Sequence, residues 1–513
     1  MSRERILILL LLFICVIHAA DLRVSGANRA EYWVFVDEGL DTLDLNYKEH
    51  LTEKLKLSLM YKEITLRGVF FFWDPTVTIP GELQYFDFTA QYNKEPVSVL
   101  YGRFYETFGR GLVLNQFLDE DFNNDNSLYG LKVDLAMYNT KLTLLTGAPR
   151  NIFFEELTYT VKNDTTDQIR GANCNFRVPL PKTKVNIVTS LSGRYVRVNR
   201  IMDMSPMAFT ELYGGDITLT LGPWQTYFEY GRQWGTYPVV GGRLDGNGYL
   251  ATTSFSLPGF GVALQYVDYD TLGFGGFGYR YNEPPTPIKS GVSVNRGTDE
   301  VGYGASILVS PFDFMSMELN HNKVSTHDNS VNKFQQIFGS KVIELDDGLD
   351  GVLEQTAKII THPTWDLEIT AAVERVTKQG IELPIETKIE TKPHIEATYD
   401  FGTFFMDAGY EHNFVSSDTS DYYDHAASIS IGKPEIFVLS VRYERRSRVP
   451  EWLISKLGNE TSWPMVELSL DLSHRHNLRL RVGAEKGGLV CSGGVCRFEE
   501  PFKGVKLVLT SIF

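Results

Sequence analysis

The sequence predicts an all-β fold: a single large transmembrane antiparallel β-barrel of about 24 strands (22–26). Three observations point there. Apolar and polar residues alternate with period two over many segments. Short turn-like connections alternate with long polar ones. The last alternating segment ends the chain on an aromatic residue, Phe513.

The alternation is clearest late in the chain. Phe437, Leu439, Val441 and Tyr443 interleave with Val438, Ser440, Arg442 and Glu444. Val466, Leu468, Leu470 and Leu472 interleave with Glu467, Ser469 and Asp471, and Leu478, Leu480, Val482 and Ala484 with Arg479, Arg481, Gly483 and Glu485. Leu367 to Glu374 and Trp224 to Gly231 repeat the pattern. Such strands carry one apolar and one wet face. A sandwich buries the apolar face in protein; a membrane barrel turns it to lipid and closes on itself, because an open edge would leave backbone groups unpaired.

The connections separate those two solutions. Eleven short turns are expected, near 62–63, 93–96, 139–140, 181–183, 222–223, 258–259, 310–311, 362–363, 402, 432–434 and 473–477. Longer polar segments lie between them: 107–126, 149–167, 234–246, 271–298, 323–350, 448–461 and 487–502. Outer-membrane barrels have this asymmetry, with short periplasmic turns and long external loops. Eleven hairpins plus a first strand near 22–37 and a last at 503–513 give the even count, with both termini at the short-turn end. Residues 38–52 are expected to form a loop or a short helix.

The first twenty residues read as a cleaved signal peptide, leaving 21–513 as one barrel. Arg3, Glu4 and Arg5 precede an uncharged apolar run, Ile6 to Ile17, and Ala19 and Ala20 offer a small-residue cleavage site. The run is short for a membrane helix, and Cys15 lacks the flanking small residues of a lipidated cysteine. Beyond it there is no long apolar segment, although aromatic residues make up 13% of the chain and glycine occurs 44 times. The formal net charge of −15 argues against nucleic acid as a partner. The expected environment is the lipid bilayer of the bacterial outer membrane.

An exported chain meets an oxidising compartment. In Gly487-Gly-Leu-Val-Cys-Ser-Gly-Gly-Val-Cys-Arg497 a Gly-Gly turn would bring Cys491 and Cys496 face to face. A disulfide is expected, two free thiols being the alternative. Zinc is not expected, since no His or second Cys pair lies nearby. Cys174 is expected to be a lone, packed thiol.

Two segments resemble a family of bacterial outer-membrane barrels described only as a domain of unknown function. One is Tyr101-Gly-Arg-Phe-Tyr-Glu-Thr-Phe-Gly-Arg-Gly-Leu112 with Asp125-Asn-Ser-Leu-Tyr-Gly130; the other is the Cys491–Cys496 segment. The resemblance implies a barrel and a location, and no substrate. In the last strand Val505, Leu507, Leu509, Ser511 and Phe513 share a face. A final strand ending in an aromatic residue is similar to the insertion signal of barrels placed by the outer-membrane assembly machinery. That similarity implies the machinery as a partner and Phe513 as the signal.

Chemistry-bearing clusters are few. Asp119, Asp121, Asn123 and Asp125 alternate like the first half of a calcium loop, but Asn124 and Gly130 occupy the places of the loop's Gly and Glu. Calcium is the one cofactor this segment suggests, against a solvated loop. Arg103 shares a face with Tyr101 and Tyr105 and is a candidate lumen charge. Arg442, Glu444, Glu467, Asp471, Arg479, Arg481 and Glu485 are stronger candidates, either tuning a pore or pairing with each other. There is no Gly-x-Ser-x-Gly and no His-Glu-x-x-His, so no enzyme is expected. The leading reading is a porin-like passive channel or transport-associated barrel, with long loops 271–298 and 323–350 able to fold inward. The alternative is a surface scaffold or receptor that binds a partner through its loops. A soluble all-β binding protein is the third reading.

Overall fold

Alternating β-branched, aromatic and polar residues leave each segment one face to bury, and the chain solves this by pairing every strand with its sequence neighbour. The computed structural model describes residues 22–35, 49–74, 82–119, 124–155, 158–163, 167–178, 187–202, 205–236, 243–272, 281–289, 294, 298–328, 333, 336, 345, 349–380, 387–449, 460–492, 495–499 and 502–513. The signal-peptide segment and Asp121 and Asn123 lie outside these residues.

Twenty-four antiparallel strands form one closed barrel. The first twelve are Leu22–Phe35, Glu49–Tyr61, Ile64–Asp74, Glu82–Lys94, Val97–Phe104, Leu128–Met137, Thr140–Glu155, Asp167–Val178, Ile187–Met202, Ser205–Leu221, Trp224–Thr236 and Arg243–Leu257. The second twelve are Phe260–Asp270, Asp299–Phe312, Met315–Ser325, Gly351–Thr364, Leu367–Gln379, Thr387–Asp400, Phe405–Ser417, Asp421–Lys433, Phe437–Arg446, Ser462–Ser473, His476–Glu485 and Phe502–Ile512. The last strand pairs with the first, from Ala27↔Ile512 to Phe35↔Gly504, so the wall has no edge.

Ten short connections are described and lie at one end, as the sequence predicts, with both strand termini beside them; the eleventh, expected at 181–183, lies outside the described residues. Three of the ten are displaced, and the turn expected at 432–434 falls at 434–436. The turns expected at 310–311 and 362–363 fall instead at 313–314 and 365–366. Pro311 and Pro363 lie inside strands, each within a register shift, Val309/Phe312 and Thr361/Thr364. Proline has no N–H to give the ladder, so the chain bulges there and turns later. Residues 49–52 are strand rather than loop, paired with the first strand.

Because paired residues share a face, the register assigns every side chain to the lumen or to the outside. On the outer face Phe228, Leu264, Ile307 and Leu319 are exposed, as a lipid-facing band requires. Tyr230 lies against Tyr249 (ring centroids 5.1 Å apart), and Tyr266 opposes Tyr303, whose hydroxyl is 2.9 Å from His321 Nε2. Toward the long-loop end the same face turns ionic, with Arg197–Glu211 at 2.8 Å and Arg232–Asp245 at 3.0 Å. The tyrosine row therefore marks the edge of the apolar band. Cys174, expected to be packed, is exposed. It opposes Leu142 on the outer face, between the lumen-facing Asn173 and Asn175.

Candidate functional site

Apolar residues on the lumen face are the anomaly from which the site is built. Ile169, Val196, Val198 and Leu212 lie on that face and are at most 1% exposed. Something must cover them, since bare aliphatic surface in a wet lumen is unfavourable. The cover is the segment after strand Val97–Phe104, which the sequence reading placed in an external loop. It folds inward as a small hairpin in which Thr107–Phe108 pairs with Leu114–Asn115. Phe108, Val113 and Leu114 pack on those four wall residues and on Leu128, Leu145 and Tyr281. Leu112 turns the other way, into Tyr227, Leu250, Val267, Tyr269 and Leu272.

The hairpin tip is held by a buried ionic clamp. Arg194, whose side chain is 1% exposed, donates to Glu229 Oε1 at 2.6 Å and pairs with Asp216. Ser192 bonds both Arg194 and Asp216. The other oxygen of Glu229 accepts from the Arg110 amide at 2.9 Å and from the Tyr227 hydroxyl at 2.6 Å. A carboxylate at zero exposure is thus satisfied by one guanidinium, one hydroxyl and one amide. The guanidinium of Arg110 stacks on the Tyr227 ring at 4.4 Å. Gly109 makes the turn possible. Its φ is +64°, and a Cβ there would sit 1.6 Å from Arg194 Nη1.

A second inward segment, residues 281–289 of the long connection 271–298, locks the first. Tyr281 O accepts from the Asn115 amide at 2.8 Å and from Gln116 Nε2 at 3.1 Å, and the Glu283 amide donates to Gly111 O at 3.2 Å. Asn282 Nδ2 donates to Leu112 O at 2.9 Å and Leu272 O at 2.8 Å. Ile288 then packs on Val324, Val352 and Val376, and the Lys289 amide donates to Glu354 at 3.0 Å. The two segments form a plug made by the barrel's own loops.

The other long loop behaves differently. Segment 323–350 is long enough to fold inward, yet the described part of this loop lies against the outer face of the rim. Lys333 reaches Asp268 at 2.7 Å, and His327 lies between Asp268 (3.1 Å) and Asp299. Register places Asp268 opposite Tyr249 on the outer side. Burial pushes the His327 imidazole down, but its bonds to Asp268 and Asp299 outweigh this and carry it above its ordinary value.

The remaining sequence candidates fall into two groups. Arg103 does not stand free as a pore charge. Its guanidinium bonds Asp87 and Asp125, donates to Ser127 Oγ at 2.9 Å and to the Tyr105 hydroxyl at 2.9 Å, and ties the wall to the loop base. Asp125 also accepts from the Ser127 amide at 3.1 Å. The side chains of Asp119, Asp121 and Asn123 lie outside the described residues, and among the described residues no cluster of three metal-ligating side chains occurs. The seven late charges share the lumen face and are paired. Arg442 meets Glu444 at 2.7 Å; Glu467 takes Arg479 at 3.5 Å and Arg481 at 2.6 Å; Arg481 also meets Glu485; Asp471 accepts from Asn477 at 2.7 Å. Cys491 and Cys496 are direct partners in the hairpin Gly488–Ser492/Val495–Glu499; their side chains lie outside the described residues.

The inward hairpin and its clamp lie in one stretch of chain that matches a family. Residues 35–282 match DUF6029, a family of unknown function. The DUF6029 match contains the Tyr101–Leu112 motif, Arg194, Glu229, Tyr281 and Asn282, and leaves out the Cys491–Cys496 segment. No curated protein matches the chain. Solved structures similar to it include the siderophore receptor PirA from Pseudomonas aeruginosa, at 7% identity over 96% of this chain and 80% of that one, TM-score 0.46. The P pilus usher PapC translocation pore is similar at 9% identity over 96% and 99%, TM-score 0.44. The FrpB iron transporter from Neisseria meningitidis is similar at 9% identity over 96% and 82%, TM-score 0.42. The barrel itself rests on the strand pairing described above.

Proposed function

We propose that this protein is a porin-like passive transport barrel of the bacterial outer membrane, its lumen filled along one sector by its own plug and left as a polar passage along the other. One observation carries the reading. Among the described residues the plug packs on the wall from Val97–Phe104 to Leu367–Gln379. From Thr387 onward, and through the first two strands, the lumen face presents ion-paired side chains beside the buried Val415, Trp463 and Phe502. Glu390 lies among Lys378 (3.4 Å), Lys388 (3.0 Å) and Lys392 (3.7 Å); Lys506 meets Glu31 at 2.7 Å; Arg481 meets Glu467. A wall of neutralised pairs is wettable without being strongly selective. The outer-membrane setting follows from the lipid-facing band, and the short turns then face the periplasm.

The test is reconstitution of the purified chain in a planar bilayer. The transport reading expects defined current steps with weak cation–anion preference. A folded, heat-modifiable barrel that stays silent overturns it in favour of the surface scaffold or receptor.

A further inference from the structure

On the lumen face of the passage, one stretch of wall carries more cations than its acids can balance. Register places Arg23 and Arg29 of the first strand, Lys54 and Lys56 of the second and Arg67 of the third on that face. Lys506 of the last strand adds a sixth. Glu31 is the one acid on the same face of these four strands among the described residues. It is shared, with Arg29 at 3.1 Å and Lys506 at 2.7 Å. Glu53 points outward, to Asn28 Nδ2, and Asp87 on the fourth strand is held by Arg103. Arg23 and Arg67 make no ion pair among the described residues. Arg29 and Lys54 are directly opposed in the ladder, an arrangement that destabilises a sheet. Where the wall is built for stability it opposes unlike charges, as at Glu467 and Arg481. The cations also climb the wall in steps. Arg23 lies nearest the short-turn end, Arg67 one lumen-facing row above it, Lys56 in the next row and Arg29 with Lys54 in the next, at about 7 Å a row. Arg23, Arg29, Lys56 and Arg67 are all exposed. On strands Leu367–Gln379 to Phe405–Ser417 acids outnumber cations on the lumen face, so the basic strip is local and the passage as a whole keeps its weak preference.

We propose that this strip binds solutes that carry several oxyanion groups, as a ladder along the passage. The guanidinium edges of Arg23, Arg29 and Arg67 suit oxyanions, and the ammonium groups of Lys54 and Lys56 supply point charges between them. Fixed charge on a wall also acts through its sum, so an acid shared between neighbours still leaves an attractive field. A solute with oxyanions spaced along its length meets two or more rungs at once, and its affinity rises over that of a single oxyanion without a new kind of contact. The ladder deepens the transport reading and rests on it for its purpose, but equilibrium binding reads the strip whether or not the barrel conducts.

The experiment is calorimetric titration of the full chain in detergent with tripolyphosphate and orthophosphate. Tripolyphosphate is expected to bind saturably and to weaken as salt rises, and orthophosphate to bind at least about tenfold more weakly. The double variant Arg23→Gln/Arg67→Gln is expected to weaken tripolyphosphate at least about tenfold, and Arg23→Lys/Arg67→Lys to keep part of the affinity. Lys141→Gln, which removes a lumen-facing cation of the plugged sector, is expected to change nothing. Heat-modifiable migration of each variant shows that the barrel has folded. Saturable binding to a barrel that stays silent in a bilayer supports the strip and removes the transport reading. Absence of saturable binding, affinity unchanged in the double Gln variant, or an equal loss in Lys141→Gln overturns the proposal.

Discussion

Gly26 and Phe513 close the barrel: the Gly26 amide donates to Phe513 O at 2.7 Å, and the Phe513 amide returns the bond to Gly26 O at 3.0 Å. The Phe513 ring also fills the space in front of Gly26, so that a Cβ there would lie 2.6 Å from it. Gly26→Val forces the ring aside and is expected to cost about 1–3 kcal/mol, the usual range for overpacking. Gly193→Ala is the control, since a Cβ there meets nothing within 4 Å. Thermal unfolding in detergent, read by the loss of heat-modifiable migration, is expected to fall by several degrees in the first and to stay unchanged in the second.

Removing the clamp frees the plug without opening the wall. Glu229→Ala leaves Arg194 buried with one of its two carboxylates gone, a change of about 3–5 kcal/mol for a buried pair. Limited proteolysis near Arg110 is expected in Glu229→Ala and not in the parent chain. Leu112→Ala, which empties a fully buried site, is expected to act the same way at about 2–5 kcal/mol.

Ser492 pairs with Val495 and Cys491 with Cys496, so the cysteines sit one pair back from a two-residue connection. Next to such a turn the second pair is the closely approaching, non-hydrogen-bonded one, which suits a disulfide. Mass spectrometry of the exported protein is expected to show Cys491 joined to Cys496. Alkylation without reductant is expected to label Cys174 alone.

The outer-rim loop should loosen as pH rises. The His327 imidazole is raised in the fold by Asp268 and Asp299, with Lys333 as the opposing charge nearby. A raised folded value means its stabilisation is complete below the unfolded value of about 6.5 and is lost as pH climbs through the folded one. Hydrogen exchange across residues 326–328 is expected to quicken from mildly acidic to mildly alkaline pH, and His327→Gln to remove that dependence.

Much of the barrel was legible because period two and turn spacing are local signals. Ser440, Arg442, Glu467 and Arg481 fell on the lumen face as their alternation implied. The turns at Pro311 and Pro363 were misplaced because proline reads as punctuation, whereas here it breaks only the ladder. The plug was not legible as a plug. Its segment 105–117 lacks the alternation of a strand and reads as an external loop, and what aims it inward is long-range: Gly109 against Arg194, Arg110 against Glu229, Asn115 against Tyr281. Two traces were present in the sequence: the apolar run Leu112-Val113-Leu114 inside the loop, and the strand that it covers. In Ile187–Met202 the face carrying Ser192 and Arg194 continues as Val196 and Val198, while Leu191 and Tyr195 occupy the other face. A strand apolar on both faces is covered on both, and here the second cover is the hairpin.

In the proposed function the barrel is filled along one sector by a plug and conducts along the other. Single-channel recording on the parent chain and on a variant with residues 107–115 replaced by a Gly-Ser linker tests it most directly. Small steps in the parent and several-fold larger steps in the variant are expected, because removing the hairpin uncovers the Arg194–Glu229 sector to water. Equal conductance in the two, with both folded, would contradict it.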